Sequence, residues 1–543
     1  MKKIKALFIV LMASLALMGC SSSTPEAASN VLRVAAPGDV LTLDSTLATD
    51  GFSFEVIQSF TEGLVNYAAD DSIVPAVAQT WDVSADGTEY VFHLNPSAKW
   101  SNGDPVTASD FVFAWQRLAN PATASEYAIM LQTAHVLNAV DIAAGTKTPD
   151  TLGVEAVDAN TFKVTLDSSV PYFMQLMTFP SFLPLNQAFF EAQGANYATG
   201  PDSLLSNGPF ILSDWVQGSL ITTAKNENYV DAANVKIDGV EWHIIPEAQT
   251  IKLEYEQDNL DVAAMTGDLV AAYTGTEDFY QIMKGYTWYM PFNLESANPA
   301  ISNTNFRLAI AWAFDRSFIV NDKLNDGSII AGGFEPKGLS TGPDGKDFRA
   351  AAPVYFGYDV AKAQAYWDAA KAELGTDKVS FDLLVGDSSD SGLASGAPEY
   401  IKAEVEKNLV GVTVNIVTTT KKDRLEKMKT GDFEVGMTRW GPDYADPLTY
   451  LNDLLIAGST WNFSRWDNAE YNALIASTSP GGDLSTDLNA RWSALIQAEG
   501  IALDQAVVVP MWQTGGAMII KPNVSGIEYH VVGMTNYKNT VIE

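Results

Sequence analysis

Apolar residues along this chain follow two spacings that alternate from one segment to the next. Phe111, Trp115 and Leu118 lie four and three residues apart, which predicts one buried face of a helix. Other helices are predicted at residues 250–258, 305–320 and 398–409. Runs rich in β-forming residues predict strands at 31–35, 90–94, 206–213, 288–294, 379–385 and 412–418. Strands that alternate with helices predict an α/β fold with crossover connections.

The first apolar run has a different meaning, because lysines precede it and it is short. Lys2, Lys3 and Lys5 lead into apolar residues 6–18, which is the pattern of a secretory signal. The run is shorter than the roughly 20 residues of a membrane-spanning helix. We therefore predict that residues 1–19 are a signal peptide and that the mature chain is exported.

The signal ends in Leu17-Met18-Gly19-Cys20, and Cys20 is the only cysteine of the chain. This ending resembles a bacterial lipobox, which implies cleavage before Cys20 and a lipid on its sulfur. The alternative is an ordinary signal peptide with a chance cysteine. After the cysteine, residues 20–30 are small and polar, so they predict a flexible tether between the lipid and the fold.

Composition limits the classes of protein that fit. The 543 residues exceed the usual domain size of about 50–250 residues, so we expect two or three domains. The net charge is −33 at pH 7 and becomes −36 once the three lysines of the signal are removed. Such a surface repels nucleic acid, so we expect no nucleic-acid partner. No later apolar run reaches spanning length, so the body is not expected to cross a membrane.

The sequence offers no convincing catalytic or metal-binding motif. The histidines, His93, His135, His243 and His530, are scattered and lack partners at metal-site spacing. Nucleophile and phosphate-loop motifs are missing as well. Two carboxylates suffice for a glycosidase, so an anchored extracellular hydrolase stays open as an alternative, although no acid pair stands out. We predict a protein that is not an enzyme, with no catalytic residue, metal or cofactor.

One aromatic and acidic cluster does point to binding. A predicted strand at residues 433–437 is followed by Arg439-Trp440-Gly441-Pro442-Asp443-Tyr444-Ala445-Asp446-Pro447. Glycine and proline end a strand and leave backbone groups free. An edge of this kind can add an extended peptide as a further strand, and the acid can pair with an ammonium group. The alternative is a tight turn with a surface acid.

Further segments form a specific set with this cluster. They are residues 90–94 with 99–111, 120–125, 207–210 and 306–316. Together with residues 440–447, these segments resemble the oligopeptide-binding proteins of ABC importers, within the bacterial extracellular solute-binding family 5. The resemblance covers nearly all of residues 31–543.

The resemblance implies a periplasmic-binding-protein-like α/β fold with two lobes, a hinge and an inserted α/β subdomain in the N-terminal lobe. The expected parts are lobe I at 31–61, 200–288 and 511–543, the inserted subdomain at 62–199, and lobe II at 289–510. A ligand would lie buried between the lobes, which close around it by hinge motion.

The resemblance also implies which residues hold a peptide. Asp443 matches the acid that pairs with the peptide α-amino group. Trp440, Gly441 and Pro442 match the segment whose backbone bonds to the ligand. The other expected contacts are Arg439, Tyr444, Tyr127, Gly51, Phe52, Trp288 and Trp512.

The chain departs from the family pattern at Met437. Enteric members carry an arginine at this position for the peptide C-terminus. Arg439, Lys421, Lys427 or Lys429 could substitute, or the protein accepts longer peptides whose C-terminus is not held. The resemblance therefore leaves ligand length open.

We thus expect an extracellular lipoprotein that captures oligopeptides and delivers them to the permease subunits of an ABC transporter. We expect a monomer anchored by lipid to the outer face of the cell membrane. The sequence favours a Gram-positive envelope, and in a Gram-negative cell the protein would face the periplasm. The alternatives within the fold are a sugar, a nickel chelate, haem or a signalling peptide as ligand.

Overall fold

The computed structural model of the protein describes residues 30–543, apart from residues 37, 267, 388–392 and 394. The predicted signal peptide, Cys20 and residues 21–29 of the predicted tether lie outside the described residues. None of the helices within the described ranges is long and apolar enough to cross a membrane.

Strands occur along the whole described chain. They are β1 (Val31–Ala36), β2 (Val65–Tyr67), β3 (Ile73–Pro75), β4 (Ala78–Val83), β5 (Glu89–Leu94), β6 (Val154–Asp158), β7 (Thr161–Thr165), β8 (Phe210–Val216), β9 (Leu220–Lys225), β10 (Gly239–Ile244), β11 (Val262–Met265), β12 (Phe279–Pro291), β13 (Ile329–Ile330), β14 (Val379–Gly386), β15 (Val412–Thr419), β16 (Val435–Gly436), β17 (Thr438–Trp440), β18 (Val508–Ile520), β19 (Val524–Ser525) and β20 (Val541–Ile542).

Helices separate most of these strands. They are α1 (Gly51–Phe60), α2 (Ala108–Ala119), α3 (Ile129–Thr133), α4 (Ala139–Ala143), α5 (Phe173–Leu176), α6 (Gln187–Gln193), α7 (Ala248–Glu256), α8 (Asp268–Tyr273), α9 (Pro299–Ser302), α10 (Thr304–Trp312), α11 (Arg316–Phe318), α12 (Phe348–Ala351), α13 (Val360–Leu374), α14 (Ala397–Asn408), α15 (Lys421–Thr430), α16 (Leu448–Leu455), α17 (Ala469–Thr478) and α18 (Leu488–Asp504).

A nine-stranded sheet joins segments that are far apart in the sequence. Its strands follow the order β17-β12-β18-β11-β1-β10-β9-β8, and β13 pairs with β18 beside this path. β1 is parallel to β10 and β11, whereas β18 is antiparallel to β11 and β12. Residues from the start, middle and end of the described chain therefore share one layer.

Two strands of this sheet, β12 and β18, have thirteen residues each and lie side by side. One end of β18 pairs with β11, and the far end of β12 pairs with β17. The expected lobe boundaries at 288/289 and 510/511 fall inside these two strands. The pair is thus the continuous connection between the two ends of the sheet.

Two smaller sheets have cores of their own. The antiparallel sheet β4-β5-β7-β6 packs on α2, where Trp115 meets Phe162 edge to face at 5.2 Å. The parallel sheet β15-β14-β16 packs on α10, where Phe306 meets Phe381 at 5.8 Å. Burial of such large aromatic side chains is a main source of stability in a chain of this kind.

The alternation predicted from the sequence is confirmed in β1, β5, β14, β15, α2, α7 and α14. Two predicted strands have other bounds. The strand expected at 206–213 begins at Phe210, because the Asn207 side chain bonds both backbone groups of Glu62 and Pro209 has no N–H to give. Of the strand expected at 288–294, residues 288–291 form the last part of the longer β12, which ends at Pro291.

The helix predicted at 305–320 is interrupted after Trp312. The Asp315 carboxylate accepts the N–H of Ser317 at 2.8 Å and starts a new short helix. The Arg316 guanidinium donates to the carbonyl of Ala311 at 3.1 Å. These side-chain caps replace the helical bonds that the apolar spacing predicted.

Candidate functional site

Two cavities meet at Asp443 and Tyr444, which line both of them. The main cavity has a volume of about 460 Å³ and is lined by β1, the first turns of α1, residues of β12 and residues 529–535. The side cavity has a volume of about 450 Å³ and is lined by residues near Tyr127 and by Asn452 and Asp453. Both volumes fall in the range of small-ligand sites, about 300–1,000 Å³.

The strand that leads into this site, β17, lies at one end of the nine-stranded sheet and pairs with β12. Met437 donates its N–H to Leu384 at 2.9 Å, away from β12, whereas the Trp440 carbonyl faces the Tyr450 hydroxyl between β17 and β12. Successive residues of a strand direct their backbone groups to opposite sides. Arg439 therefore points its N–H and C=O away from β12, where the described residues provide no further strand.

Gly441 follows this strand at a place where a side chain does not fit. A Cβ there would lie 2.2 Å from Cε1 of Tyr286. Only glycine lets the chain pass the Tyr286 ring, so the backbone beyond Trp440 stays open to the cavity. This close approach is a physical reason for the glycine in the sequence cluster.

Asp443 is the charged group at the junction of the cavities. Its side chain is exposed to the cavity space, but the surrounding protein limits solvation and raises the pKa of the carboxyl. No described residue donates a hydrogen bond to this carboxylate or forms an ion pair with it. Its backbone N–H donates to the Thr449 hydroxyl at 3.2 Å. The fold thus holds an acid in place without neutralising it.

A second acid, Asp453, lies in the side cavity near Asp443. Burial raises its pKa to about 7, and the negative charges of Asp443 and Asp446 contribute. The Asn452 side chain, which donates to it at 3.1 Å, acts in the opposite direction. The junction of the cavities is therefore a region of negative potential that suits a cation.

A buried ion pair holds the segment that carries Asp443. Asp446 accepts two bonds from Arg491 of α18, at 2.8 and 2.7 Å, and both side chains are buried. Arg491 also donates to the Thr478 carbonyl at 2.8 Å. A bidentate ion pair fixes the orientation of the carboxylate as well as its position. It therefore holds the turn after Asp443 in one geometry.

Aromatic side chains form the walls around the two acids. The Tyr444 ring stacks on Tyr172 with the ring centres 4.3 Å apart. Tyr127 packs on Phe54 at 5.4 Å and on Phe179 at 5.0 Å. Burial and the nearby charge of Asp443 raise the pKa of Tyr127, so it stays a neutral hydroxyl in the side cavity.

The structure brings most of the expected contact residues together. The cavities are lined by Gly51, Phe52, Tyr127, Pro442, Asp443 and Tyr444. Gly51 and Phe52, matched to a loop, form instead the first turn of α1, because Asp50 caps that helix by accepting the N–H of Ser53 at 2.8 Å.

Three aromatic residues lie beneath the surface of the site. Trp288 and Trp512 are fully buried and stack on each other at 5.3 Å within the sheet, and neither is among the described residues that line the main or the side cavity. Trp440 packs on Trp461 at 5.3 Å and donates its indole N–H to Thr449 at 3.4 Å. These three residues pack beneath the surface of the site and support its walls.

Of the cations considered for a peptide C-terminus, two are engaged elsewhere. Lys427 pairs with Asp432, and Lys429 lies over the Trp461 ring at 4.3 Å. Met437 is fully buried. Arg439 lies beside the cavity wall, over the ring of Tyr286 at 5.1 Å.

Sequence reasoning missed most of the residues that line the cavities, among them the polar residues Glu55, Lys284, Tyr286 and Asp453. Each lies in an ordinary strand or helix pattern with no motif around it. Among the described residues no group of three or more metal-ligating side chains comes together.

Comparison with known proteins identifies the family. A model described as bacterial extracellular solute-binding proteins, family 5 Middle, matches residues 72–462. The chain belongs to this family. It is a family 5 solute-binding protein of peptide ABC importers, as the resemblance implied.

Relatives match over almost the full chain. A dipeptide-binding protein of Lactococcus lactis is 31% identical over 97% of this chain and 96% of its own length. The substrate-binding domain of an oligopeptide ABC transporter from Bacillus anthracis is 36% identical with a TM-score of 0.71, covering 95% and 99% of the two chains.

An unliganded open form of the murein tripeptide-binding protein MppA superimposes with a TM-score of 0.82. That protein is 28% identical, and the match covers 95% of this chain and 98% of the other. The family and these structures confirm the two-lobed, periplasmic-binding-protein-like α/β fold.

The Arg491–Asp446 pair gives a first prediction. Replacing Arg491 with methionine leaves the Asp446 carboxylate buried and unpaired, so we expect the free energy of unfolding to fall by about 3–5 kcal/mol. Urea unfolding measures the change. Lys252→Met, which removes an exposed pair with Glu256, is the control and is expected to cost less than about 1 kcal/mol. A similar small loss for both variants would contradict the anchoring role.

Proposed function

We propose that this protein captures oligopeptides between its two lobes and delivers them to the permease of an ABC transporter, without covalent chemistry. Membership of the family shows that the chain is a solute-binding protein. The observation that carries the peptide assignment is Asp443, a carboxylate in the cleft that has no counterion among the described residues. A peptide supplies the missing charge through its α-ammonium group.

The energetic argument rests on the cost of burying charge. An ammonium group moved into a closed cleft loses hydration, and it is stable there only when it is paired and hydrogen-bonded. Asp443 already bears part of this cost in the empty protein, as its raised pKa shows. Pairing with an ammonium would offset the desolvation of both groups.

The open side of β17 supplies the second element of recognition. The backbone of Arg439 can bond an extended peptide as an added strand, which gives affinity without reading side chains. Gly441 and Pro442 continue this edge towards Asp443. A peptide would run antiparallel to the segment, with its amino end at Asp443.

We further propose that the lobes close about β12 and β18. These adjacent strands link the two ends of the large sheet, and the proposed lobe division at 288/289 and 510/511 places the hinge in them. The higher TM-score with an unliganded open form, 0.82, than with a peptide-bound relative from Listeria monocytogenes, 0.71, supports an open arrangement here. Peptide would then favour the closed state by contacting both lobes.

The second part of the proposal concerns attachment. The lysine-flanked apolar run and the Leu-x-Gly-Cys ending at Cys20 support export and a lipid anchor on the outer face of the membrane. A tether of small polar residues would then let the lobes open and close near the permease.

Removing the charge of Asp443 tests peptide recognition directly. We expect Asp443→Asn to weaken binding of alanine peptides of three to five residues at least about tenfold, because a charged hydrogen bond contributes roughly 1.5–3 kcal/mol. N-acetylation of the same peptides should weaken binding to the wild type by a similar factor. Isothermal titration calorimetry measures both.

Asp344→Asn is the matched control, because Asp344 is an exposed acid paired with Lys346. It should leave the affinity unchanged. Equal affinity of the Asp443 variant and the wild type, or equal binding of free and acetylated peptides, would contradict the role of Asp443.

The anchor has a separate test. We expect Cys20→Ala to leave peptide affinity of the purified protein unchanged, while uptake of labelled peptide by cells falls and the protein appears in the medium. Ser23→Ala in the tether is the control and should change neither. Unchanged retention of the Cys20 variant on cells would overturn the lipid anchor, and loss of peptide affinity would reveal a structural role for Cys20.

A further inference from the structure

The side cavity has an acid that the proposed contacts of the peptide backbone do not use. Asp443 and Asp453 both line this cavity, and Asp443 lines the main cavity as well. The α-ammonium group of a peptide carries one positive charge, which pairs with Asp443 in the proposed function. None of the described residues that line the side cavity is a lysine or an arginine. The charge of Asp453 is therefore left without a cation.

The fold gives the Asp453 carboxylate little support. Among the described residues it forms no ion pair, and the side-chain donor that bonds to it is Asn452, at 3.1 Å. Asp453 also lies in the last turn of α16, where the carbonyl ends of the helix give a negative potential that disfavours an acid. The carboxylate thus gains stability neither from an ion pair nor from its own helix.

The charged groups that precede α16 do not neutralise Asp453 either. Burial raises its pKa to about 7, and the negative charges of Asp443 and Asp446 contribute. Asp446 is matched by its buried pair with Arg491, whereas Asp443 and Asp453 have no such partner in the described part of the chain. A ligand that brings two positive charges would match both acids.

On the rest of the cavity lining, one residue can carry a positive charge. This is His135, whose Nδ1 pairs with the Asp167 carboxylate at 2.7 Å. The hydroxyls of Thr133 and Ser479 donate to backbone carbonyls of their own helices, at 3.2 and 2.7 Å. These groups are engaged elsewhere, so Asp453 is the side chain in this cavity that remains for a second cation.

The walls of the cavity suit an aliphatic chain that ends in a cation. Ile129 and Met130 supply apolar surface, and Tyr127, Tyr172 and Tyr444 supply aromatic rings. Burial and the nearby acids raise the pKa of Tyr172 and of Tyr444, so both hydroxyls stay neutral. Lysine and arginine place their methylene stems on such surfaces and keep their charged ends with polar groups.

The position of Asp443 relates the side cavity to the first residue of a peptide. Because Asp443 lines both cavities, an α-ammonium group bound to it places the first Cα atom at their junction. In the proposed function the peptide backbone then continues along β17. This leaves the side cavity, with a volume of about 450 Å³, for the side chain of the first residue and for bridging waters.

We propose that the side cavity selects peptides whose first residue is lysine or arginine, and that Asp453 binds the cation of that side chain. This inference rests on the proposed function, because it takes the α-ammonium group to lie at Asp443. Opposite charges attract more strongly in a cavity with limited solvation than at an exposed surface. Asp453 is thus a specificity-determining residue, whereas the backbone bonds to β17 do not distinguish one side chain from another.

The test compares Lys-Ala-Ala with norleucine-Ala-Ala, since norleucine has the four-carbon chain of lysine without the ammonium group. Ala-Lys-Ala moves the same cation to the second residue. Isothermal titration calorimetry at about pH 8 and roughly 0.15 M salt, which screens exposed charges, gives the affinities. The proteins are the wild type, Asp453→Asn, Asp453→Glu and the control Asp344→Asn, an exposed acid paired with Lys346. Melting temperatures without peptide check that each variant is folded.

We expect the wild type and the Asp344 variant to bind Lys-Ala-Ala about tenfold or more tightly than norleucine-Ala-Ala. Asp453→Asn should bring this ratio close to one, and Asp453→Glu should restore part of it because it keeps the charge. A ratio near one in the wild type would overturn this inference, while binding of both peptides would leave the proposed function intact. Absence of binding for every peptide would overturn both.

Two further outcomes would also overturn the inference. Asp453→Asn that weakens both peptides equally would assign Asp453 to the α-ammonium group, and tighter binding of Ala-Lys-Ala than of Lys-Ala-Ala would assign the cavity to the second residue.

The same ratio should depend on pH. The Asp453 carboxyl is charged above its pKa of about 7 and neutral below it, whereas the lysine ammonium is charged throughout this range. We expect a larger ratio at about pH 8 than at about pH 6 in the wild type. The change should be smaller in Asp453→Asn, where His135 and Asp443 are left to titrate. A ratio that falls as the pH rises would contradict the role of Asp453.

Discussion

The structure depends on one constraint, an acid held in a cleft by a fold that does not neutralise it. Asp443 lies at the junction of two cavities, and the surrounding protein raises the pKa of its carboxyl. A nearby acid, Asp453, has its pKa raised to about 7, so the surroundings of Asp443 disfavour a second negative charge. The ammonium group of the proposed peptide would remove this penalty on binding.

The rest of the molecule keeps that acid in position and accessible. The buried pair of Asp446 with Arg491 fixes the turn that follows Asp443, and Gly441 lets the chain pass Tyr286. β17 ends the sheet on the same side, so backbone groups are available beside the charge. The long strands β12 and β18 then connect the site to both ends of the sheet, and lobe movement about them would control access.

Much of this could be predicted from the sequence. Periodicity gave the α/β alternation, and the strand followed by glycine, proline and an acid marked the segment around Asp443. The helix break at Asp315 was missed because a side-chain cap competes with an apolar period that continues past it. Trp288 and Trp512 were expected in the cleft, but the pairing of β12 with β18 stacks them inside the sheet.

Lys284 shows a deeper limit of sequence reasoning. Lys284 lies in a run that reads as an ordinary strand, and only the register shift against β18 turns it into the cavity. Such a shift depends on residues more than two hundred positions away, such as Gln513, which bonds the Lys284 carbonyl. Local sequence patterns do not reveal that contact, so the position of Lys284 at the cavity could not be predicted.

The most direct test of the central claim is the number of protons released when a peptide binds. Calorimetry of trialanine at about pH 6, in two buffers with different ionisation enthalpies, measures this number, and the peptide ammonium is already protonated at that pH. A cation at this junction lowers the pKa of Asp453, which is about 7 without the cation. The account therefore predicts net proton release, and less release in Asp443→Asn because the ammonium is then held less closely. Binding without proton release, or with proton uptake, would contradict the claim that the ligand ammonium neutralises this acid.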